Sequence, residues 1–260
     1  MRLNRSIPCD EHGRRRSSVS GIVEIRSVEK EYPLGNLVVK ALRGVDLTIE
    51  RGEFTTIAGP SGSGKTTLLN LIGCIDVATA GQVVVDGQDT GRMSEASRTN
   101  LRLNKLGFIF QSFNLISVLD LFQNVEFPLL LQGSLTAKER RDRVHEIVDK
   151  VGLTPQLRQR PNELSGGQRQ RVAIARALVT QPSIIMADEP TANLDSATGA
   201  AIIELMKTLN RVEKTTFIFS THDPEVMGQA RRVVRLVDGR IVDDGRKPAP
   251  SEDAAAAPVS

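Results

Sequence analysis

The stretch from Phe54 to Thr67 constrains this chain more than any other. A short apolar, β-branched run, Phe54–Ala58, leads into Gly59, Pro60, Ser61, Gly62, Ser63, Gly64, Lys65 and Thr66, and a helical pattern containing Thr67 opens at once. Strand, then G-x-x-x-x-G-K-[ST], then helix is the sequence form of a phosphate cradle. The glycines permit a tight loop whose backbone N–H groups turn toward phosphate oxygens. The helix start adds roughly half a positive charge. Lys65 is long enough to reach the β- and γ-phosphates, and the Thr66 hydroxyl suits Mg²⁺.

The surrounding chain alternates two periodicities. Strand-like runs fall at 22–28, 38–49, 54–58, 81–85, 106–110, 183–187, 215–220, 232–236 and 240–242. Helical patterns fall at about 65–72, 94–103, 120–131, 136–151, 166–180, 196–212 and 224–229. In the fourth of these, Val144, Ile147, Val148 and Val151 stand at i, i+3, i+4 and i+7, with the charges mostly opposite. Such alternation predicts an α/β fold with an open, mainly parallel sheet. Residues 112–164 carry helical pattern and no clear strand, which predicts a helical subdomain inserted in the sheet domain. Residues 1–20 and 247–260 read as a disordered basic leader and a disordered tail, leaving 21–246 as the folded unit. Each motif occurs once, which argues against a tandem duplication.

Composition narrows the class. Apolar residues make up 40% and charged residues 25% of the 260, as in ordinary globular chains. The net charge of +3 resides in the leader, where five arginines face Asp10 and Glu11; the remainder balances, so charge gives no reason to expect a nucleic-acid partner. Trp is absent and Tyr32 is the single tyrosine, which argues against an aromatic stacking platform. Cys9 and Cys74 make neither a disulfide framework nor a metal cluster. No apolar run approaches the ~18 residues of a membrane span. The arginines of the leader have no apolar segment behind them, so no secretory signal is expected. Arg14, Arg15 and Arg16 fall short of a lipid-binding cluster.

A second group of residues completes the chemistry. The apolar run Ile184–Ala187 ends in Asp188 and Glu189. Carboxylates at the C-terminal end of a buried strand belong in the crevice where open α/β sheets bind ligands. Asp188 suits Mg²⁺, and Glu189 is placed to orient and polarise an attacking water. Further on, Leu164, Ser165, Gly166, Gly167 and Gln168 open another helix, with Ser165 as a candidate cap and two glycines exposing N–H groups to an anion.

These three motifs together resemble the ATP-binding cassette (ABC) ATPases over about 22–245. The resemblance implies a P-loop NTPase (RecA-like) sheet core, an N-terminal antiparallel β part and the inserted helical subdomain. It implies that ATP and Mg²⁺ are bound and that two copies dock head to tail, each ATP lying between one chain's Lys65 loop and the other's Ser165–Gln168. It implies that Tyr32 stacks on adenine, that Gln111, after the strand-like run 106–110, touches Mg²⁺ and links to the membrane partner, and that Asp195 contacts the second copy. It implies that His222, after an apolar run, contacts the γ-phosphate. Asp195 also suits a helix N-cap. His12 and His145 receive no role.

Finer wording narrows the resemblance. Val39–Asp46, Gly107–Leu115, Asn124–Leu129 and Ala192–Asp195 are similar to cassettes of macrolide exporters, lipoprotein-releasing complexes and the cell-division pair, the MacB/LolD type. Ala192 departs from the glycine usual there. The implied function is the ATPase of a transporter with a separate permease, on the cytoplasmic face of the inner membrane. Five of the eight phenylalanines (Phe108, Phe110, Phe113, Phe122 and Phe127) lie where that family docks its permease. Phe108 and Phe110 are expected in the core, Phe113 and Phe122 partly exposed at the docking groove. A soluble iron–sulfur assembly cassette is the alternative. A DNA-repair cassette is excluded because about 120 residues from Thr66 to Asp188 leave no room for its coiled coil. A small-molecule kinase leaves Ser165–Gln168 unexplained.

Overall fold

Two sheets organise the molecule, seen here in a computed structural model that describes residues 21–35 and 37–246. In chain order the elements begin with β1 (Val23–Leu34), β2 (Leu37–Ile49), β3 (Phe54–Ala58), α1 (Lys65–Ile72), β4 (Ala80–Val85) and β5 (Gln88–Asp89). Next come α2 (Glu95–Lys105), β6 (Leu106–Ile109), α3 (Leu121–Gln132), α4 (Ala137–Lys150) and α5 (Gly166–Leu178). The chain closes with β7 (Ile184–Asp188), α6 (Ser196–Glu213), β8 (Thr216–Thr221), α7 (Pro224–Gln229), β9 (Arg232–Val237) and β10 (Arg240–Arg246). The expected leader and tail, with Cys9 and His12, lie outside the described residues.

β1, β2, β4 and β5 form an antiparallel sheet in the order β2-β1-β4-β5. The larger sheet runs β10-β9-β3-β8-β7-β6, parallel from β9 to β6 with β10 antiparallel at one edge. Its central strands are buried on both faces, which is why they read as continuous apolar runs. Along β7 the side chains alternate. Ile184 and Met186 join the core under α1 and the antiparallel sheet, whereas Ile185 and Ala187 join the core beneath α3, α4, α5 and α6. Phe54, Phe217 and Phe219 gather on that second face, with ring centroids 5.0–5.7 Å apart. Each buried phenylalanine contributes about 1.5–3 kcal/mol.

Local rules set most helix starts. Ser94, Asp120, Thr136, Ser165, Asp195 and Asp223 each accept a bond from a first-turn N–H, and three of them complete a reciprocal capping box. Residues 112–164 contain α3 and α4, and their buried Val125, Leu129, Val144 and Ile147 share one core with β6 and β7.

The principal departure from the sequence reading is β1. The strand-like run ends at Val28, yet the strand continues through Tyr32 to Leu34, paired with Leu37. Register shifts between Ile25 and Val28, at Val28/Glu29 and at Lys30/Glu31, with Ser27 at φ 47°, break the alternation that the sequence signal depends on.

Candidate functional site

Three parallel strands, β3, β8 and β7, end side by side at one edge of the larger sheet, and the expected site residues lie just beyond them. The chain leaves β3 through Gly59 and enters α1 at Lys65. Gly64, the residue before the helix, sits at φ 105°, and α1 has no side-chain cap. Its first-turn N–H groups are therefore unclaimed by a capping side chain, the condition for anion binding at a helix start. The loop is braced from outside by Gly239 N, which donates to Ser63 O at 3.0 Å, and from within by Ser63 N, which donates to Pro60 O at 3.2 Å. Lys65 is buried, and its ammonium donates to Gly59 O at 2.8 Å and Pro60 O at 3.0 Å. Ser63 Oγ is buried with no protein partner. A buried polar atom without a protein partner, close to an uncapped helix start, suits an anionic oxygen.

Thr66 Oγ1 faces Asp188, 3.1 Å from Oδ2 and 3.4 Å from Oδ1, so the first turn of α1 meets the end of β7. Glu189, the next residue, takes φ 47°. From there its Oε1 lies 2.8 Å from His222 Nδ1, beyond β8. Ser220, opposite Asp188 in the β7–β8 register, donates to Asp188 Oδ1 at 2.5 Å and accepts from Glu189 N at 3.1 Å. The structure thus joins Lys65, Thr66, Asp188, Glu189 and His222 in one crevice.

Gln111 leaves the end of β6, the parallel neighbour of β7, and its carbonyl accepts from Asn193 Nδ2 at 2.9 Å. No contact brings its side chain to Thr66 or Asp188. Ser165 caps α5 reciprocally with Gln168, at 2.8 and 3.2 Å. The two glycines there have a packing role: a Cβ on Gly167 would stand 2.6 Å from Thr198 Cγ2, and one on Gly166 3.2 Å from Leu194 Cδ2. Asp195 caps α6 through Thr198 N at 3.0 Å, and its bonds to Thr198 hold its carboxyl below the usual carboxylate range. Tyr32 stands on β1, half-buried, near Thr67. Its hydroxyl donates to Asp76 at 2.8 Å and Lys30 Nζ lies 4.8 Å from its ring centre. Burial, then Asp76, push the phenol upward.

An apolar groove of about 500 Å³ lies apart from this crevice. Phe108, Phe110, Phe127, Leu103, Leu131 and Arg176 are among the residues that line it. Phe108 and Phe110 stack with centroids 5.9 Å apart and are partly buried; Phe108 packs against the core as the sequence reading expected and also lines the groove, whereas Phe110 joins neither core and lines the groove alone. Phe113 and Phe122 are partly exposed, as expected, but do not line this groove: Arg169 covers the Phe113 ring at 5.2 Å, and Phe122 packs by His145 at 5.8 Å.

Sequence reasoning passed over Ser220, Asn193 and Asp76. A hydroxyl inside the run Phe217–Phe219 and Thr221 was a visible signal for Ser220. Asp76 and Asn193 gave none, because only tertiary contacts bring them to Tyr32 and Gln111.

Comparison with known proteins identifies the family and the fold. The family described as ABC transporter matches residues 42–192. The macrolide export ATP-binding/permease protein MacB of Syntrophobacter fumaroxidans is 44% identical over 85% of this chain, which spans 31% of that longer protein. The lipoprotein-releasing system ATP-binding protein LolD 1 of Rhodopseudomonas palustris is 41% identical over 86% of this chain and 99% of its own length. Among solved structures, a dimeric ATP-binding cassette of Methanocaldococcus jannaschii, in a post-hydrolysis state bound to ADP and Pi, superimposes with a TM-score of 0.79 at 44% identity. That match covers 86% of this chain and 98% of the other.

Proposed function

Because this chain belongs to the ABC transporter family, we propose that it is the ATP-hydrolysing subunit of a transporter and that it drives a separate transmembrane permease. The observation that carries this reading is the meeting of the phosphate loop with the acid pair, Thr66 Oγ1 at 3.1 Å from Asp188 and Glu189 next to it at 2.8 Å from His222. The relatives named for macrolide export and lipoprotein release favour transport over the iron–sulfur alternative.

The loop Gly59, Pro60, Ser61, Gly62, Ser63 and Gly64 wraps the phosphates, and Lys65 offsets their charge. Glu189 orients a water in line with the γ-phosphate and takes its proton. His222, held against Glu189, contacts the γ-phosphate. Thr67 and Tyr32 lie toward the adenine, on which the Tyr32 ring stacks. A second copy of the chain closes each ATP with its Ser165, Gly166, Gly167, Gln168 and Asp195.

The donor set fits Mg²⁺. Thr66 and Asp188 present hard oxygens to each other, and no group of three His, Cys, Asp or Glu side chains among the described residues could hold an ion alone. Magnesium shared with phosphate oxygens is the usual arrangement for such a site. Thr66 and Asp188 would hold it, and Gln111 would join them only if its side chain turned toward the pair. When bound, the ion neutralises charge on the phosphates.

The Phe108–Phe110–Phe127 groove receives a cytoplasmic helix of the permease, which holds the chain at the inner face of the membrane. No helix among the described residues is long and apolar enough to cross a membrane. We further propose the domain division stated from the sequence, an ABC ATPase domain at 21–246 with its helical part at 112–164.

Glu189→Gln tests the chemistry. Hydrolysis should fall by about three orders of magnitude, with ATP binding kept and an ATP-dependent dimer appearing by gel filtration; retained turnover removes Glu189 from the mechanism. Affinity purification of the same variant from detergent-solubilised membranes, with ATP and Mg²⁺, tests the transport reading. A multi-span permease supports it, and recovery of soluble partners alone overturns it.

A further inference from the structure

We propose that Ser220 is a positioning residue for hydrolysis, one hydroxyl holding both Asp188 and Glu189 in working geometry. The inference rests on the roles given above to those two acids. Ser220 is the polar exception in a run that is otherwise Phe217, Ile218 and Phe219, and it is fully buried on β8 between β3 and β7. A buried hydroxyl costs stability unless it is bonded. This one is bonded twice within the site, donating to Asp188 Oδ1 at 2.5 Å and accepting from Glu189 N at 3.1 Å.

Each bond has a distinct consequence. Asp188 receives Thr66 Oγ1 on one side and Ser220 Oγ on the other, so its carboxylate plane is fixed from two elements, α1 and β8. Glu189 sits at φ 47°, a left-handed conformation that a residue with a Cβ occupies at a cost. Its amide takes an acceptor from a side chain on the neighbouring strand, which opposes relaxation to extended backbone. Relaxation there would swing the Glu189 carboxylate away from His222. A charge-assisted bond and an orphaned buried amide are at stake together.

The test compares full-length Ser220→Ala and Ser220→Thr with the parent chain. Ser220→Ala removes one oxygen and should lower kcat about ten- to a hundredfold, the scale of a lost bond to a charged group. KM for ATP should stay within about twofold, because the loop at Lys65 is untouched. Ser220→Thr keeps the hydroxyl on a side chain suited to a strand and should restore kcat to within about threefold. A binding readout accompanies these: a fluorescent ATP analogue in EDTA should bind Ser220→Ala as it binds the parent, while the Mg²⁺ concentration that tightens binding rises severalfold. Should Ser220→Ala not fold by circular dichroism, Ser220→Cys, a weak donor of similar shape, carries the same comparison. The proposal is overturned by a Ser220→Ala kcat within twofold of the parent, by equal losses in Ala and Thr, or by a matching loss of Mg²⁺-free binding. Glu189→Gln keeps the two readings apart. Its retained turnover sinks the role of Glu189 itself, whereas its loss beside an unchanged Ser220→Ala sinks only the role of Ser220.

Discussion

His222 Nδ1 lies 2.8 Å from Glu189 Oε1, a bond between the ends of adjacent parallel strands β7 and β8. The carboxylate is mostly shielded and the imidazole mostly exposed, so the pair presents His222 outward and keeps Glu189 within. An ionised Glu189 can only accept, which makes Nδ1 the donor. His222→Ala should therefore lower kcat by about two orders of magnitude or more, with ATP affinity changed only a few-fold. Steady-state kinetics beside equilibrium ATP binding checks the split, and an equal loss in both would make His222 a binding residue instead.

The phosphate loop tolerates no side chain at Gly64. A Cβ there would stand 2.6 Å from Ala41 O, and the φ of 105° is strained for any other residue. Gly64→Ala should cost about 2 kcal/mol of stability and abolish ATP binding. A chain that melts and binds as the parent does would show that the loop adapts.

Arg232 joins β9 to its surroundings through Asp244 at 2.7 Å, Glu53 at 2.9 Å and Thr48 O at 2.7 Å, with its side chain almost wholly buried. The bond to Asp244, with that to Glu53, holds the guanidinium pKa above its usual value, and Arg232 in turn depresses Asp244 below its ordinary 3.8. A depressed carboxyl contributes stability above its unfolded pKa and loses it as pH falls through the folded one. Arg232→Met should thus cost about 2 kcal/mol near neutral pH, and the gap to the parent should narrow below about pH 4. Denaturant melts across pH decide it; a gap that stays constant would assign the effect to packing.

Cys74 follows α1 just past its Gly73 cap and is buried, which pushes its thiol up to about 11. In a Cys9→Ser chain, a thiol reagent at pH 8 should react only on unfolding, because the thiolate fraction is small and access is closed. Rapid reaction in the native chain would contradict that burial.

Phe127, 38% exposed, lines the groove assigned to the permease. Phe127→Asp should remove the membrane partner from a detergent pull-down while the melting temperature of the isolated chain holds. Undiminished recovery would move the docking surface elsewhere.

What the sequence determined by itself is local. The glycine pattern of the loop from Gly59 to Thr66 is contained in eight consecutive residues, although Gly239 braces the loop from afar, and Ser165, Asp195 and Thr136 cap helices through bonds spanning three residues. Interactions of that reach leave their mark as short motifs, so the helices and the phosphate cradle were legible in the order of residues. The tertiary structure alone decided which strands lie together. Ser220 meets Asp188 across 32 positions only because β7 and β8 pair in parallel at that register. Tyr32 reaches Asp76 only because β1 continues past bulges that erase its alternation. Strand pairing is set by packing of both sheet faces at once, and no window of sequence contains both partners.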